Sequence, residues 1–233
     1  MGKINNIFFD LDRTLWDFEK NSSLALQIIF EELHLEKYID GFDNFLATYR
    51  KINSQLWREY NKGKLTKEKL RQSRFRDTLK SFGIDNVSLG NLIEEKYVSI
   101  SPRQTHLFPN THEVLQELLE AGYQLSIITN GFTEVQYVKL KNCGLERYFS
   151  SILCSEEIGL NKPHPKVFYE ALNRAKARIS QSVMIGDDLI SDVKGAENIG
   201  MRAVLFDPME RYKSEFPRVR ELQEVPELII NLR

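Results

Sequence analysis

Asp10 and Asp12 stand two residues apart, directly after the apolar run of residues 4–9. That run reads as a buried strand, and a strand points residues i and i+2 to the same side. Two like charges sharing one small space are costly unless a cation or a proton sits between them. The pair therefore points to a site for a metal ion and a phosphate. Three further groups suit the same chemistry: Thr129-Asn130-Gly131, Lys162 with Pro163, and Gly186-Asp187-Asp188 followed by Asp192. Taken singly, each could be an ordinary turn, surface loop or helix start. Their conjunction, each following a strand, makes coincidence a poor explanation.

Hydrolysis of a phosphate monoester needs a nucleophile, a cation on the phosphoryl oxygens, donors that hold the group in line, and an acid for the departing oxygen. Asp10 suits the nucleophile, forming an aspartyl-phosphate. Asp12 suits the acid that protonates the leaving group and then the base that deprotonates water. Asp187 and one oxygen of Asp10 are the expected ligands of Mg²⁺, a cation that prefers hard oxygen donors. The Thr129 hydroxyl and the amides of Asn130 and Gly131 are the expected phosphate donors. Lys162 adds positive charge beside the nucleophile and is counted with the phosphate-binding groups. At ~4 Å and an effective dielectric of ~20, such a pair is worth on the order of 4 kcal/mol before desolvation. Asp188 is expected to contact metal-bound water, and Asp192 to orient the loop.

The elements that position these residues follow from periodicity. Residues 17–101 are helical in pattern and lack obvious strands. Leu24, Ile28, Ile29 and Leu33 repeat at helical spacing, as do Phe45, Tyr49, Ile52 and Leu56. Thr66 reads as an N-cap. After Pro109 the texture becomes alternating helix and strand, with strands expected at 123–128, 151–154, 182–185 and 202–206. A helix is expected over 189–199. Such alternation implies βαβ units and a parallel sheet covered on both faces, to which the strand at 4–9 must belong. The helical stretch is then an insertion after the first strand. The expected division is an α/β core of residues 1–15 and 103–233, and a helical domain of residues 16–102. In open parallel sheets ligands bind beyond the strand C-termini, where all four groups fall.

Composition sets bounds. The chain has 233 residues, 42% hydrophobic and 28% charged, with a formal net charge of −1. That balance gives no electrostatic case for a nucleic acid polymer or a membrane partner. No apolar run reaches the ~18 residues of a transmembrane helix. The start shows no signal-peptide pattern. Cys143 and Cys154 lack metal-ligand spacing and read as reduced thiols of a cytoplasmic protein.

In these four motifs, in this order, the chain resembles the haloacid dehalogenase-like hydrolase superfamily. The motifs are Asp10-Leu11-Asp12-Arg13-Thr14-Leu15, Thr129-Asn130-Gly131, Lys162-Pro163, and the stretch from Gly186 through Asp192 to Gly200. The resemblance implies a Rossmann-like parallel sheet ordered 3-2-1-4-5 with an inserted α-helical cap domain. It also implies Mg²⁺, with the Asp12 main-chain carbonyl as a further ligand. Residue 13 is usually glycine in this family, whereas here it is arginine. Arg13 either faces the substrate or lies at the hinge or rim. Residues 12–18, with Thr129–Thr133 and Gln136, look most like the pyrimidine 5′-nucleotidase branch, so the expected substrate is a small phosphorylated metabolite, a nucleoside 5′-monophosphate. A sugar-phosphate or phosphoglycolate phosphatase is the alternative, then a phosphomutase. The namesake dehalogenases lack the second carboxylate of the first motif. A non-catalytic binding protein would be expected to lose Asp10 or its metal ligand. Trp16, Phe18, Asn53, Trp57 and Tyr60 are the candidates for contacting the leaving group, although aromatics at helical spacing more often fill a core.

Overall fold

The computed structural model describes residues 2–213 and 215–232. The chain divides into two compact units, Met1–Phe18 with Thr105–Arg233, and Glu19–Gln104. Among the described residues no helix is long and apolar enough to cross a membrane.

The first unit is built on a parallel sheet. Its strands are β1 (Asn6–Phe9), β2 (Gln124–Thr129), β3 (Ser151–Cys154), β4 (Ser182–Gly186), β5 (Arg202–Phe206) and β6 (Arg218–Val219), in the order β3-β2-β1-β4-β5-β6. The expected order is thus extended by one strand. β6 has only two residues, too few for any periodicity to mark it. Alternate residues along each strand serve opposite faces. Ile7, Phe9, Ile127, Val183, Ile185, Val204 and Phe206 enter one buried cluster, whereas Phe8, Ile128, Met184 and Leu205 enter another. Burial on both faces is why these strands read as continuous apolar runs.

β1 lies between β2 and β4, with Phe9 level with Ile127 on one side and Ile185 on the other. The chain adds strands on one side of β1 and then crosses to the other. The C-terminal ends of β1, β2 and β4 therefore meet at a topological switch point, where an open sheet binds its ligand. The expected helix over 189–199 differs in form. Leu189–Lys194 make a widened π-type turn, followed by the short α-helix Gly195–Glu197.

The second unit consists of helices α1 (Phe18–Glu32, reaching in from the first unit), α2 (Phe42–Asn61), α3 (Lys67–Lys80) and α4 (Val87–Ile100). Thr66 caps α3 by accepting from the Lys69 amide at 3.2 Å, and Asn86 caps α4 by accepting from Leu89 at 3.0 Å. Such caps satisfy otherwise orphaned amides. The apolar spacing in α1 misplaces its inner face. Leu24 and Ile28 are 37% and 44% exposed, while Ala25, Leu26, Ile29 and Phe30 are buried. In α2 the stripe Phe45, Tyr49 and Asn53 is buried, and Tyr49 stacks on Phe75 at 5.1 Å between ring centroids.

This small core also holds a buried charge. Arg74 is 5% exposed and donates to both oxygens of Glu94, at 2.6 and 2.8 Å. Removing one partner of such a pair strands the other charge in an apolar medium. Glu94→Ala is therefore expected to lower unfolding stability by about 3–5 kcal/mol, read as a drop in the urea midpoint. A loss under about 1 kcal/mol would mean that the pair behaves as a surface ion pair.

Candidate active site

The site begins where β1 ends. The Asp10 amide still donates to the Ile185 carbonyl at 2.9 Å, so the backbone of Asp10 is fixed by the sheet. The next residues form a tight loop in which the amides of Leu15 and Trp16 converge on the Leu11 carbonyl, at 3.0 and 2.9 Å. Within it Arg13 adopts φ 67°. Left-handed backbone is costly for residues with a Cβ and free for glycine, which is the physical reason glycine is usual there. The Arg13 guanidinium lies 4.1 Å from the Phe18 ring centroid, and its charge helps to hold down the pKa of Asp187.

Lys162, 1% exposed, is the centre of the cluster. Its ammonium lies 2.7 Å from Asp10 Oδ1, 2.6 Å from the Ile128 carbonyl and 2.7 Å from Asp192 Oδ1. The ammonium thus hydrogen-bonds Asp10 and the Ile128 carbonyl and pairs with Asp192, neutralising both carboxylates. The Asn130 side chain donates to the Lys162 carbonyl at 3.0 Å and accepts from the Lys162 amide at 2.8 Å, so it braces the lysine. The Gly131 amide donates to Thr129 Oγ1 at 3.1 Å instead of facing outwards. Thr129 Oγ1 also accepts from Gln136 Nε2 at 2.7 Å. With two bonds accepted, the Thr129 hydroxyl keeps its own proton to donate.

Asp187 and Asp192 follow β4. Carboxylate oxygens of Asp10, Asp187 and Asp192 all lie within 4.8 Å of one another, a grouping fit for a divalent cation. Asp192 Oδ2 accepts from the Asp188 amide at 3.1 Å while Oδ1 faces Lys162, so Asp192 links the loop to the lysine. Gly186 has to be glycine, because a Cβ there would overlap the Asp192 carboxylate. Asp188 caps the next turn, accepting from Ile190 and Ser191 at 2.9 and 2.7 Å. One oxygen of its side chain thus organises the local backbone.

After β1 and the helical unit come α5 (Thr111–Glu120), β2 and α6 (Thr133–Asn142), and Asp12 turns to α6. Lys139 Nζ donates to its Oδ1 at 2.6 Å and Gln136 Nε2 to its Oδ2 at 2.8 Å. Trp16, fully buried, packs in the core beneath, with Lys139 Nζ 4.2 Å from its ring centroid. A fully buried indole has no face for a ligand, so the expectation for Trp16 is corrected. Phe18 is half-buried under Arg13. In the helical unit Asn53 is buried, while Trp57 and Tyr60 are half-buried and meet edge to face at 5.4 Å.

Lys139 and Arg211 are site residues that the four motifs do not contain, and Gln136 gains a site role that its likeness to the nucleotidase branch did not specify; Lys139 and Gln136 are both buried on α6. Arg211 was findable, because it follows β5 just as the other site residues follow their strands. Buried Asp207 accepts from the amides of Arg211 and Tyr212 at 3.0 and 3.1 Å, folding that loop back. The Arg211 guanidinium then donates to Asp187 Oδ2 at 3.2 Å.

Burial dominates the titration of the trio. It pushes Asp10 up to about 7, against the opposing charge of Lys162 and with the help of Asp192. Burial, then Asp10, push Asp187 up to about 7, with Arg13 and Arg211 opposing. Burial raises Asp192 to about 6, again against Lys162. Burial alone would pull the lysine down, but Asp10 and Asp192 together hold it well above its ordinary value.

The chain belongs to the haloacid dehalogenase-like hydrolases, whose family profile matches residues 7–206. The HAD-hydrolase YfnB of Bacillus subtilis is 30% identical over 236 residues, covering 100% of this chain and 97% of that protein. Its crystal structure, described as bound to magnesium and revealing interdomain movement, aligns with a TM-score of 0.89 at 28% identity, over 99% of this chain and 100% of that one. The pyrimidine 5′-nucleotidase PynA of Streptococcus pneumoniae is 30% identical, covering 87% of this chain and 83% of that protein. The ribulose-1,5-bisphosphate 5-phosphatase of Halopiger xanaduensis is 31% identical, over 88% and 85%.

Carboxylates whose folded pKa lies above the unfolded value favour the folded state when protonated. Between the unfolded value near 3.8 and the folded values of about 6 to 7, the folded protein binds more protons than the unfolded chain. Stability therefore falls as pH rises through that window. Thermal unfolding of chelated protein is expected at lower temperature at pH 7.5 than at pH 5, with Mg²⁺ reversing the loss. A Tm that is flat or rising over that range would mean that the trio is satisfied without a cation.

Proposed function

We propose that the protein is a Mg²⁺-dependent phosphatase that hydrolyses a nucleoside 5′-monophosphate through an aspartyl-phosphate on Asp10. The observation that carries this reading is the buried trio Asp10, Asp187 and Asp192 with Lys162 beside Asp10 and Asp12 held separately alongside. A hard divalent cation fits the all-oxygen donor set of the trio. Asp10 and Asp187 would hold it, with the Asp12 carbonyl. Once bound, it neutralises charge on the phosphoryl oxygens.

The side chains perform the steps. Thr129 donates its hydroxyl proton to the phosphoryl group and fixes it in line with Asp10. An Asp10 carboxylate oxygen attacks phosphorus, and the bond to the ester oxygen breaks. Asp12 gives that oxygen its proton. Water then attacks the aspartyl-phosphate and Asp12 takes its proton, which releases phosphate and regenerates both carboxyl groups. Lys162 favours the ionised form of Asp10 and orients it for attack. In the helical unit the half-buried Trp57 and Tyr60 remain the candidates for choosing the leaving group, whereas Asn53 is buried.

The nucleotide is favoured by the likeness to a pyrimidine 5′-nucleotidase, and a sugar phosphate by the likeness to a bisphosphate phosphatase. A phosphate-release screen over nucleoside monophosphates, sugar phosphates and phosphoglycolate decides. Nucleotides are expected to lead, and preference for sugar phosphates would overturn that choice. Asp10→Asn and chelation should each lower turnover by at least about 10³-fold, comparable to losing a group worth ~4 kcal/mol in the transition state. Undiminished turnover in either case would remove the mechanism.

A further inference from the structure

Lys139 has no task in the chemistry above, yet it is 4% exposed, and its ammonium reaches Asp12 Oδ1 at 2.6 Å. Burying a lysine costs desolvation and the ordering of a long side chain, and well-packed apolar residues often serve a fold as well or better. Three residues earlier on the same helix, Gln136 is fully buried and donates to the other oxygen of Asp12 at 2.8 Å. The same Gln136 nitrogen donates to Thr129 Oγ1 at 2.7 Å. Its position is enforced from below, because a Cβ on Gly131 would overlap its amide group. The ammonium in turn rests on the Trp16 ring, 4.2 Å from its centroid, an arrangement that favours a cation.

From this geometry we infer that Lys139 and Gln136 are positioning residues for the proton transfers of Asp12. The inference rests on the phosphatase reading. A carboxylate has about four lone-pair sites on its two oxygens. Two donors, one on each oxygen and both from one helix, fix the carboxyl plane and leave the other sites for the proton that Asp12 exchanges. Gln136 also ties Asp12 to Thr129, so one amide sets the spacing between the group that holds phosphate and the group that serves the leaving oxygen. Without the two donors Asp12, whose side chain is 21% exposed, is free to rotate away.

The consequence is a dependence on the leaving group. An alkyl alkoxide departs only with a proton, whereas p-nitrophenolate departs without one. The test compares kcat/KM, which reports steps up to departure of the leaving group, for β-glycerophosphate and p-nitrophenyl phosphate. For Lys139→Met the alkyl substrate is expected to lose on the order of 10²-fold, the size of a general-acid contribution, and the aryl substrate only a few-fold. Lys139→Arg, which restores a cationic donor, should recover most of the alkyl loss. Lys139→Leu carries the same test if Lys139→Met does not fold. Equal losses on both substrates, or no loss, would overturn the inference. Asp12→Asn separates the two levels. Selective alkyl loss in Asp12→Asn but not in the helix variants refutes only the positioning role, whereas no selectivity in Asp12→Asn refutes Asp12 as the acid.

Discussion

Lys162 is the interaction on which the site depends. Its buried ammonium stands 2.7 Å from an oxygen of Asp10 and 2.7 Å from one of Asp192. Three carboxylates from two strand ends share a space that burial makes hostile to charge, and one cation cannot neutralise them all. The remaining imbalance suits the trio to a divalent cation. Removing the lysine would leave that space more negative still, and protonation of Asp10 would be the cheapest escape. Under the proposed mechanism a protonated Asp10 could not attack, so this contact keeps the proposed chemistry available.

The surrounding structure serves this contact in layers. The sheet fixes Asp10 through its amide, and Asn130 clamps both backbone groups of Lys162 at 3.0 and 2.8 Å. Asp192 reaches back across Gly186 to meet the lysine from the β4 loop. Arg211 and Arg13 approach Asp187 from outside and offset part of its burial. Helix α6 supplies an independent pair of donors to Asp12. The two carboxylates of the first motif thereby have different partners, although they are only two residues apart and the Asp12 charge still adds to the rise of the Asp10 pKa. Asp10 belongs to the trio, whereas Asp12 belongs to α6.

The sheet was legible in the sequence because parallel strands buried on both faces are short apolar runs ended by turn residues. The ligand edge was legible because chemistry-bearing residues followed each run. β6 was not, since two residues carry no pattern. The face of α1 was misread because Leu24 and Ile28 share helical spacing with Ile29 yet point outwards. Within the site, residue types were legible but their partners were not. Lys162 and Asn130 have the right chemistry for phosphate, and only the geometry shows them bonded to protein groups. Arg13 marked a departure in the sequence, and its φ of 67° explains why glycine is usual there. Lys139 carried no signal, because a lysine on an amphipathic helix ordinarily faces water.

The central claim is that Asp10, held by Lys162, becomes phosphorylated. The most direct measurement uses the Asp12→Asn protein, in which loss of the base slows release of phosphate and lets the intermediate accumulate. Protein mixed with p-nitrophenyl phosphate and Mg²⁺, quenched in acid and digested, is examined by mass spectrometry. The account predicts a phosphoryl increment on the peptide carrying Asp10, absent when Asp10 is also changed to Asn. A phosphoryl group on any other residue, or none while p-nitrophenol is released, would contradict it.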